Sequence, residues 1–406
     1  MAKKICLISD HHVSINPRLW KEAFLYEKMG FDVVIITQWT SDYFLQKDQE
    51  LLQGHRIRYE CYLDMRDGHS NLLRRFFFRA RKRAGAELQK RFGISKPWSV
   101  TYAPGLLYKR AINEQADFYS AHLEAGFIAG GELVRSGKKV GFDLEDWYSR
   151  DYMTADRAID LLHRAEGFAL NHGLFFTTTS ESMARGISEV WKCQKPVTVI
   201  YNSFPDEDLT NPVGIDRNGD DHKPFRLLWT SRSVGSGRGI ETLLKALTYL
   251  EIPVEVHLIG QLAKGYREFL QEHWPVSQGH RLCLVEFMPH RELSALIPGF
   301  DLGLAIENNF PDNKDRTISN KILQYIQAGI KVLATDTKGQ VEVADDFPES
   351  VFLVPVDQPE RWASQIRNAI QQRNLHDLDK QADRYRKKFA WPAQEEKLKQ
   401  LITQHI

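Results

Sequence analysis

TISNKILQYIQAGIKVLATD, residues 317–336, holds a polar loop, a short amphipathic helix, a glycine stop and a buried strand in one continuous run. Ser319 and Asn320 are good N-cap types, so the helix is expected to open there. Ile322, Leu323, Tyr325 and Ile326 give it an apolar side, and Gly329 ends it. Residues 331–335 (KVLAT) read as a strand buried in a parallel sheet. A polar helix N-terminus beside such a strand is a natural anion site, because its unpaired N–H groups and the positive end of the dipole point outward.

The same alternation of strand and helix runs outward in both directions. In the second half, strands are expected at 225–231, 254–260, 281–287, 301–306, 331–335 and 351–354. Helices are expected at 239–250, 266–274, 291–297, 319–328, 360–373 and 393–406. In the first half, residues 4–9 (KICLIS) and 31–37 (FDVVIIT) flank a helix over 17–29. Asn16 is its N-cap, Pro17 lies in its first turn and Gly30 is its stop. Residues 118–121, 139–143, 174–179 and 197–201 continue that sheet. A doubly wound parallel sheet is the expected product of each half. Residues 205–224, rich in Asp, Asn, Pro and Gly, are the expected linker.

A chain of 406 residues is long enough for two cores. A net charge of +1 argues against a nucleic-acid binder. Cys6, Cys61, Cys193 and Cys283 have no paired spacing and read as free thiols of a reducing compartment. Cys6 and Cys283 fall inside expected buried strands. No run approaches the ~20 apolar residues of a membrane span, and no signal peptide is visible, so a cytoplasmic protein is expected. A nicotinamide enzyme would carry G-x-G-x-x-G directly after the first strand. Here that loop is Asp10-His-His-Val-Ser-Ile-Asn-Pro-Arg18, without glycine.

The 317–336 run resembles the donor-binding segment of retaining, GT-B type glycosyltransferases, family 4 in particular. In that segment a "P/S-N-K-hydrophobic-x-E-Y-x-x-A-G" pattern precedes the strand. Gln324 stands where the family usually has Glu. The resemblance implies an α/β chain of two Rossmann-like domains facing each other across a cleft. An N-terminal acceptor domain over 1–204 would be joined by a returning helix at 390–406, and a donor domain would span 222–389. It also implies a reaction without a cofactor or metal, and no Asp-x-Asp stands in a strand-end loop to suggest otherwise.

Residues 225–240 resemble the family's "G-R-L-x-x-x-K-G" loop. Arg232 matches its Arg, and Arg238 stands at its Lys. Guanidinium pairs bidentately with phosphate, so arginine suits a diphosphate there. By resemblance Glu307 would touch the sugar hydroxyls, and Gln324 the ribose. Thr317, Ser319, Asn320 and Lys321 would meet sugar and diphosphate, and the turn around Met288 (FMPH) would cradle the base. In the first domain, Ala116-Asp-Phe-Tyr-Ser-Ala-His122 resembles the family strand end whose His lies near the anomeric centre. Gly141-Phe-Asp-Leu-Glu-Asp-Trp147 resembles the next strand end, where one of Asp143, Glu145 and Asp146 would bind the acceptor or act as base, the alternative being a capped loop. Asn16 and Arg18 either face the cleft or, in Asn16's case, simply cap the helix.

Residues 73–92 carry Arg74, Arg75, Arg79, Arg81, Lys82, Arg83, Lys90 and Arg91 against Glu87 alone, with Phe76–Phe78 among them. A basic, aromatic helix suits an anionic membrane surface or a lipid-linked acceptor. The alternative is a solvated helix with three core phenylalanines. The expected activity is sugar transfer from a nucleotide-diphosphate sugar to a glycan or lipid-linked acceptor, as in cell-surface polysaccharide synthesis. Two alternatives share the fold: a nucleotide-sugar epimerase or hydrolase, and a non-catalytic binding subunit.

Overall fold

The computed structural model describes residues 2–69, 72–152, 154, 157–204, 224–373 and 378–406. Its first sheet contains β1 (Lys4–Ile8), β2 (Asp32–Trp39), β3 (Arg58–Asp64), β4 (Phe118–His122), β5 (Val140–Leu144), β6 (Phe176–Thr178) and β7 (Val197–Val199). They lie in the order β3-β2-β1-β4-β5-β6-β7, all parallel. The accompanying helices are α1 (Pro17–Lys28), α2 (Asp42–Leu52), α3 (Leu72–Phe92), α4 (Pro97–Val100), α5 (Pro104–Ile112), α6 (Leu123–Arg135), α7 (Ile159–His172) and α8 (Glu181–Trp191).

The second sheet contains β8 (Phe225–Val234), β9 (Val254–Leu262), β10 (Arg281–Val285), β11 (Leu302–Ala305), β12 (Lys331–Thr335) and β13 (Val351–Val354), in the order β10-β9-β8-β11-β12-β13. It is accompanied by α9 (Ile240–Thr248), α10 (Tyr266–His273), α11 (His290–Leu296), α12 (Asp312–Arg316), α13 (Asn320–Gln327), α14 (Lys338–Asp346), α15 (Pro359–Gln371) and α16 (Leu378–Lys388), while most of the last helix, α17 (Trp391–His405), belongs with the first sheet. Two compact units result. One comprises Met1–Thr179, Met183–Ile200 and Glu395–Ile406; the other comprises Ser180–Ser182 and Tyr201–Gln394.

Both sheets reverse their winding in the middle, between β1 and β4 and between β8 and β11. In open parallel sheets such a reversal opens a crevice beyond the carboxyl ends of the strands, where ligands bind. The strands are near-continuous apolar runs because helices cover both faces. Ile5 through Ile8 are fully buried, and every residue of β12 is buried. The Lys331 ammonium in β12 donates to the Gln372 carbonyl, which compensates its burial. The 317–336 run folds as its pattern dictates, with α13 burying Ile322, Leu323, Tyr325 and Ile326. Gly303 on β11 is required there, because a Cβ would sit 2.3 Å from the Tyr325 ring.

Several elements depart from the sequence reading, among them α12 and α14, which it did not single out. Strand β3 (RYECYLD) was not expected; it is an edge strand whose first four residues are exposed or half-buried, so no apolar run marks it. Helix α16 was not expected either. Strand β8 runs past residue 231 to Val234, with a register shift between Thr230 and Ser233, so Arg232 lies in the strand rather than in a loop. All four cysteines are free; Cys6 is buried, while Cys283 on edge strand β10 is only half-buried. Of the expected linker, residues 205–223 lie outside the described residues. Among the described residues, no helix is long and apolar enough to cross a membrane.

Candidate functional site

In the second unit, the polar groups collect beyond β8, β11 and β12. The loop from β8 to α9 is Gly-Ser-Gly-Arg-Gly, residues 235–239. Gly239 has φ 80°, a left-handed conformation that glycine adopts without strain. A Cβ on Gly239 would lie 3.2 Å from Ile306, so the loop lies directly against the end of β11. Asn308 Nδ2 donates to the Gly237 carbonyl at 2.7 Å and ties the two loops together. Arg238 is exposed and donates to Ser231 Oγ at 3.1 Å.

Glu307 follows β11. Its N–H donates to Thr335 Oγ1 at 2.8 Å, and that hydroxyl donates back to the Glu307 carbonyl at 2.7 Å. Its carboxylate accepts from Ser319 Oγ at 2.9 Å and from Lys321 Nζ at 2.5 Å. The adjacent ammonium and hydroxyl outweigh burial and hold Glu307 below the usual carboxylate range. Lys321 Nζ also lies 5.7 Å from the Trp229 ring centroid. The Trp229 indole N–H is buried with no partner among the described residues, a donor that a ligand can satisfy.

Ser319 is the residue before α13 but gives it no side-chain cap; its hydroxyl is spent on Glu307. The α13 N-terminus therefore keeps its N–H groups for another acceptor. Thr317 Oγ1 turns inward to the Asn313 carbonyl at 2.6 Å. Asn320 is exposed and accepts from Asn202 at 3.3 Å. Gln324 lies one turn beyond Asn320 on α13, half-buried, with no hydrogen-bond partner for its amide among the described residues. Glu307, Ser319, Lys321 and Arg238 are thus gathered on adjoining segments. Arg232 is exposed and Met288 half-buried after β10; among the described residues no hydrogen bond joins either of them to this group.

In the first unit, His122, Asp143 and Thr177 stand side by side in register at the ends of β4, β5 and β6. Arg18, in the first turn of α1, clamps Asp143: Nε to Oδ2 is 2.7 Å and Nη2 to Oδ1 is 2.5 Å. Its Nη1 donates to the Ile200 carbonyl at 2.7 Å. Thr177 Oγ1 donates to Asp143 Oδ1 at 2.6 Å. His122 Nε2 lies 2.9 Å from Glu22, and its Nδ1 lies 3.4 Å from Asp143, an ion-pair distance rather than an aligned hydrogen bond. Tyr26 and Ser120 hydroxyls also donate to Glu22.

This cluster is buried and internally neutral, with two cations against two anions. Burial disfavours the imidazolium, but Glu22 and Asp143 more than offset it and raise His122 to about 9. Arg18 and His122 hold Asp143 far below its ordinary value against the effect of burial. Glu145 behaves oppositely: burial, with Asp143 and Asp146 nearby, pushes it up to about 7 despite Arg18. Directly after His122, Leu123 has φ 60°, a conformation that costs a non-glycine residue roughly 1–2 kcal/mol. Such strain accompanies functional turns.

Asn16 proves to be a cap, its Oδ1 accepting from Leu19 N–H at 3.2 Å, while its buried Nδ2 has no partner among the described residues. The loop before it is pinned from below. His12 Nε2 accepts from Thr40 N–H, so Nδ1 carries the proton that it donates to Asp48 at 2.6 Å. Sequence reasoning did not single out Glu22, Trp229, Asn308 or Thr335. Glu22 had a signal: it sits on the buried stripe Leu19, Glu22, Ala23 and Tyr26, where an unpaired carboxylate would not be tolerated.

Residues 224–372 match the family model described as glycosyl transferases group 1. No curated protein sequence matches the chain. Among solved structures, the chain resembles a sucrose-phosphate synthase from Thermosynechococcus elongatus, with a TM-score of 0.71 at 15% identity, covering 99% of this chain and 98% of that one. It also resembles HepE from Anabaena in complex with UDP, at 0.70 and 14%, covering 99% and 100%. A putative UDP-N-acetylglucosamine 2-epimerase from Listeria monocytogenes follows at 0.58 and 14%, covering 100% and 97%.

Proposed function

The chain has the GT-B glycosyltransferase fold and carries a glycosyl transferases group 1 domain over residues 224–372; from that premise we propose that it moves a sugar from a nucleotide-diphosphate donor to a glycan or lipid-linked acceptor, with retention at the anomeric carbon. The observation that carries the proposal is the polar group around Glu307, Lys321, Ser319 and Arg238, at the winding reversal of the family-matched unit. A UDP-sugar is the proposed donor, since HepE was solved with UDP and with UDP-glucose.

Lys321, Arg238 and the uncapped N–H groups of α13 face the charge that develops on the leaving diphosphate. Glu307 holds sugar hydroxyls, Gln324 the ribose, and Met288 the base. Thr317 positions the loop through Asn313, and Asn320 and Arg232 complete the donor side. As the acceptor oxygen bonds to the anomeric carbon, the bond to the diphosphate breaks, and the diphosphate departs with the electron pair and takes up the hydroxyl proton. No divalent metal is needed in this scheme, so EDTA should leave activity intact.

In the first unit, His122 carries its proton at neutral pH and acts as a fixed cation rather than as a base. Glu145 is the group proposed to hold the acceptor, because a carboxyl near 7 can hydrogen-bond a hydroxyl in either protonation state. Asp143 and Arg18 hold His122 in place, and Asn16 anchors the loop beside them. Four free cysteines suit the reducing cytoplasm, where nucleotide sugars would be available.

The test is a thermal-shift screen against UDP, GDP, ADP, dTDP and CMP sugars, followed by product analysis. A ligand at a hundred times its Kd stabilises by about 2.7 kcal/mol. If none of these ligands raises the melting temperature, the donor site is wrong. An isomerised sugar without transfer would instead favour the epimerase reading that the Listeria neighbour suggests.

A further inference from the structure

Helix α3 is built inside out. Positions 75, 78, 82, 85 and 89 follow the three- and four-residue spacing of one helical face. Arg75, Phe78 and Gly85 are buried there, and Lys82 and Gln89 half-buried. Leu72, Leu73, Phe76 and Phe77 lie on the other side and are 72%, 77%, 73% and 56% exposed. A surface helix ordinarily does the reverse, burying its apolar stripe and presenting charge to water. Only one of the three phenylalanines, Phe78, is therefore a core residue.

The buried cations are compensated. Arg75 pairs with Asp67, and Arg81 donates to the Tyr102 carbonyl at 2.5 Å while lying over the Phe77, Phe78 and Trp98 rings. Arg74, Arg79, Arg83, Lys90 and Arg91 are exposed, and the one acid of the helix, Glu87, is paired with Arg91 at 2.9 Å. Single exposed apolar side chains are ordinary, but four contiguous ones rimmed by cations are not.

We infer that this face of α3 docks on an anionic lipid bilayer. Leu72, Leu73, Phe76 and Phe77 enter the boundary between headgroups and acyl chains, and the arginines and lysines meet lipid phosphates. The charge pattern selects this occupant. A second copy would set two cationic helices face to face across a two-fold axis, and a nucleic acid would leave the apolar side chains in water. The docked helix also adjoins the chemistry of the first unit. Lys82 lies within electrostatic reach of Glu124, in the first turn of α6 directly after His122. A lipid-linked acceptor held at the membrane would thus present its head group near that strand end, a consequence that rests on the transferase reading, whereas the docking does not.

The full-length protein should float with vesicles of phosphatidylglycerol and phosphatidylcholine, less at high salt, and only weakly with phosphatidylcholine alone. Phe76→Ser with Phe77→Ser should cut partitioning at least about tenfold. Arg79→Ala with Arg83→Ala should cut it about thirtyfold, roughly fivefold for each charge near an anionic surface. These side chains are largely in water, so circular dichroism and any nucleotide-induced thermal shift should match the parent, which separates this test from the donor-site test. No flotation with anionic vesicles, or parent-like flotation of the double phenylalanine variant, overturns the inference. So does a dimer that the phenylalanine substitutions dissolve, or DNA binding in the absence of vesicle binding.

Discussion

Replacing Glu22 by Gln removes the nearer of the two carboxylates that hold the His122 proton. The imidazole is 1% exposed, with Nε2 2.9 Å from Glu22 and Nδ1 3.4 Å from Asp143. Burial alone would lower its pKa, and the two carboxylates reverse the sign, raising it from 6.5 to about 9. That difference, about 2.5, is worth roughly 3 kcal/mol at about 1.36 kcal/mol per unit. Because the folded value exceeds the unfolded one, the stabilisation is complete below pH 6.5 and is lost as the pH rises through about 9. Glu22 contributes more than Asp143, whose charge is already engaged by Arg18. Gln keeps an acceptor for the Tyr26 and Ser120 hydroxyls but supplies no charge. In Glu22→Gln, His122 should therefore be neutral at pH 7 and titrate below 6.5, and most of the roughly 3 kcal/mol should vanish. Histidine Cε1–Hε1 resonances followed from pH 5 to 10, with His122 assigned by its loss in His122→Gln, give the answer directly. A parent His122 resonance titrating near 6.5, or one unmoved by Glu22→Gln, would refute the reasoning.

Lys321→Ala should weaken UDP binding at least about tenfold by calorimetry, since it removes a cation from the diphosphate side and leaves Glu307 without its closest counter-charge; unchanged affinity would remove Lys321 from the site. Gln324→Ala should weaken UDP binding by about 1 kcal/mol if the amide holds a ribose hydroxyl, while Gln324→Glu should bind at least as tightly as the parent. Gly303→Ala should destabilise the second unit by about 1–3 kcal/mol, because the new methyl would sit 2.3 Å from the Tyr325 ring. A thermal melt of each protein checks it, and no drop in melting temperature would mean that the ring moves freely aside.

Much of this molecule is written in its local pattern. The β12 strand at Lys331–Thr335 and the α13 helix that precedes it follow from apolar spacing and a glycine stop, readable within a few neighbouring residues. The same holds for His122 and Asp143, each at the end of a buried strand. Strand β3 was illegible because an edge strand of mixed residues carries no periodic signal. Arg232 was placed in a loop because a register shift inside β8 leaves no local trace.

Sequence by itself determined the alternation of strand and helix, the two doubly wound halves and the polar residues at the strand ends. Only tertiary structure decided what those residues do. Arg18 meets Asp143 across 125 positions, and His122 is charged because α1 brings Glu22 to β4. The Ser319 hydroxyl serves Glu307 rather than its own helix, and α3 turns Phe76 and Phe77 outward while Phe78 packs inward on the rest of the first unit. Backbone propensity acts between neighbours and shows in their spacing. Protonation, pairing and exposure depend on groups distant in the chain, and folding alone brings them together.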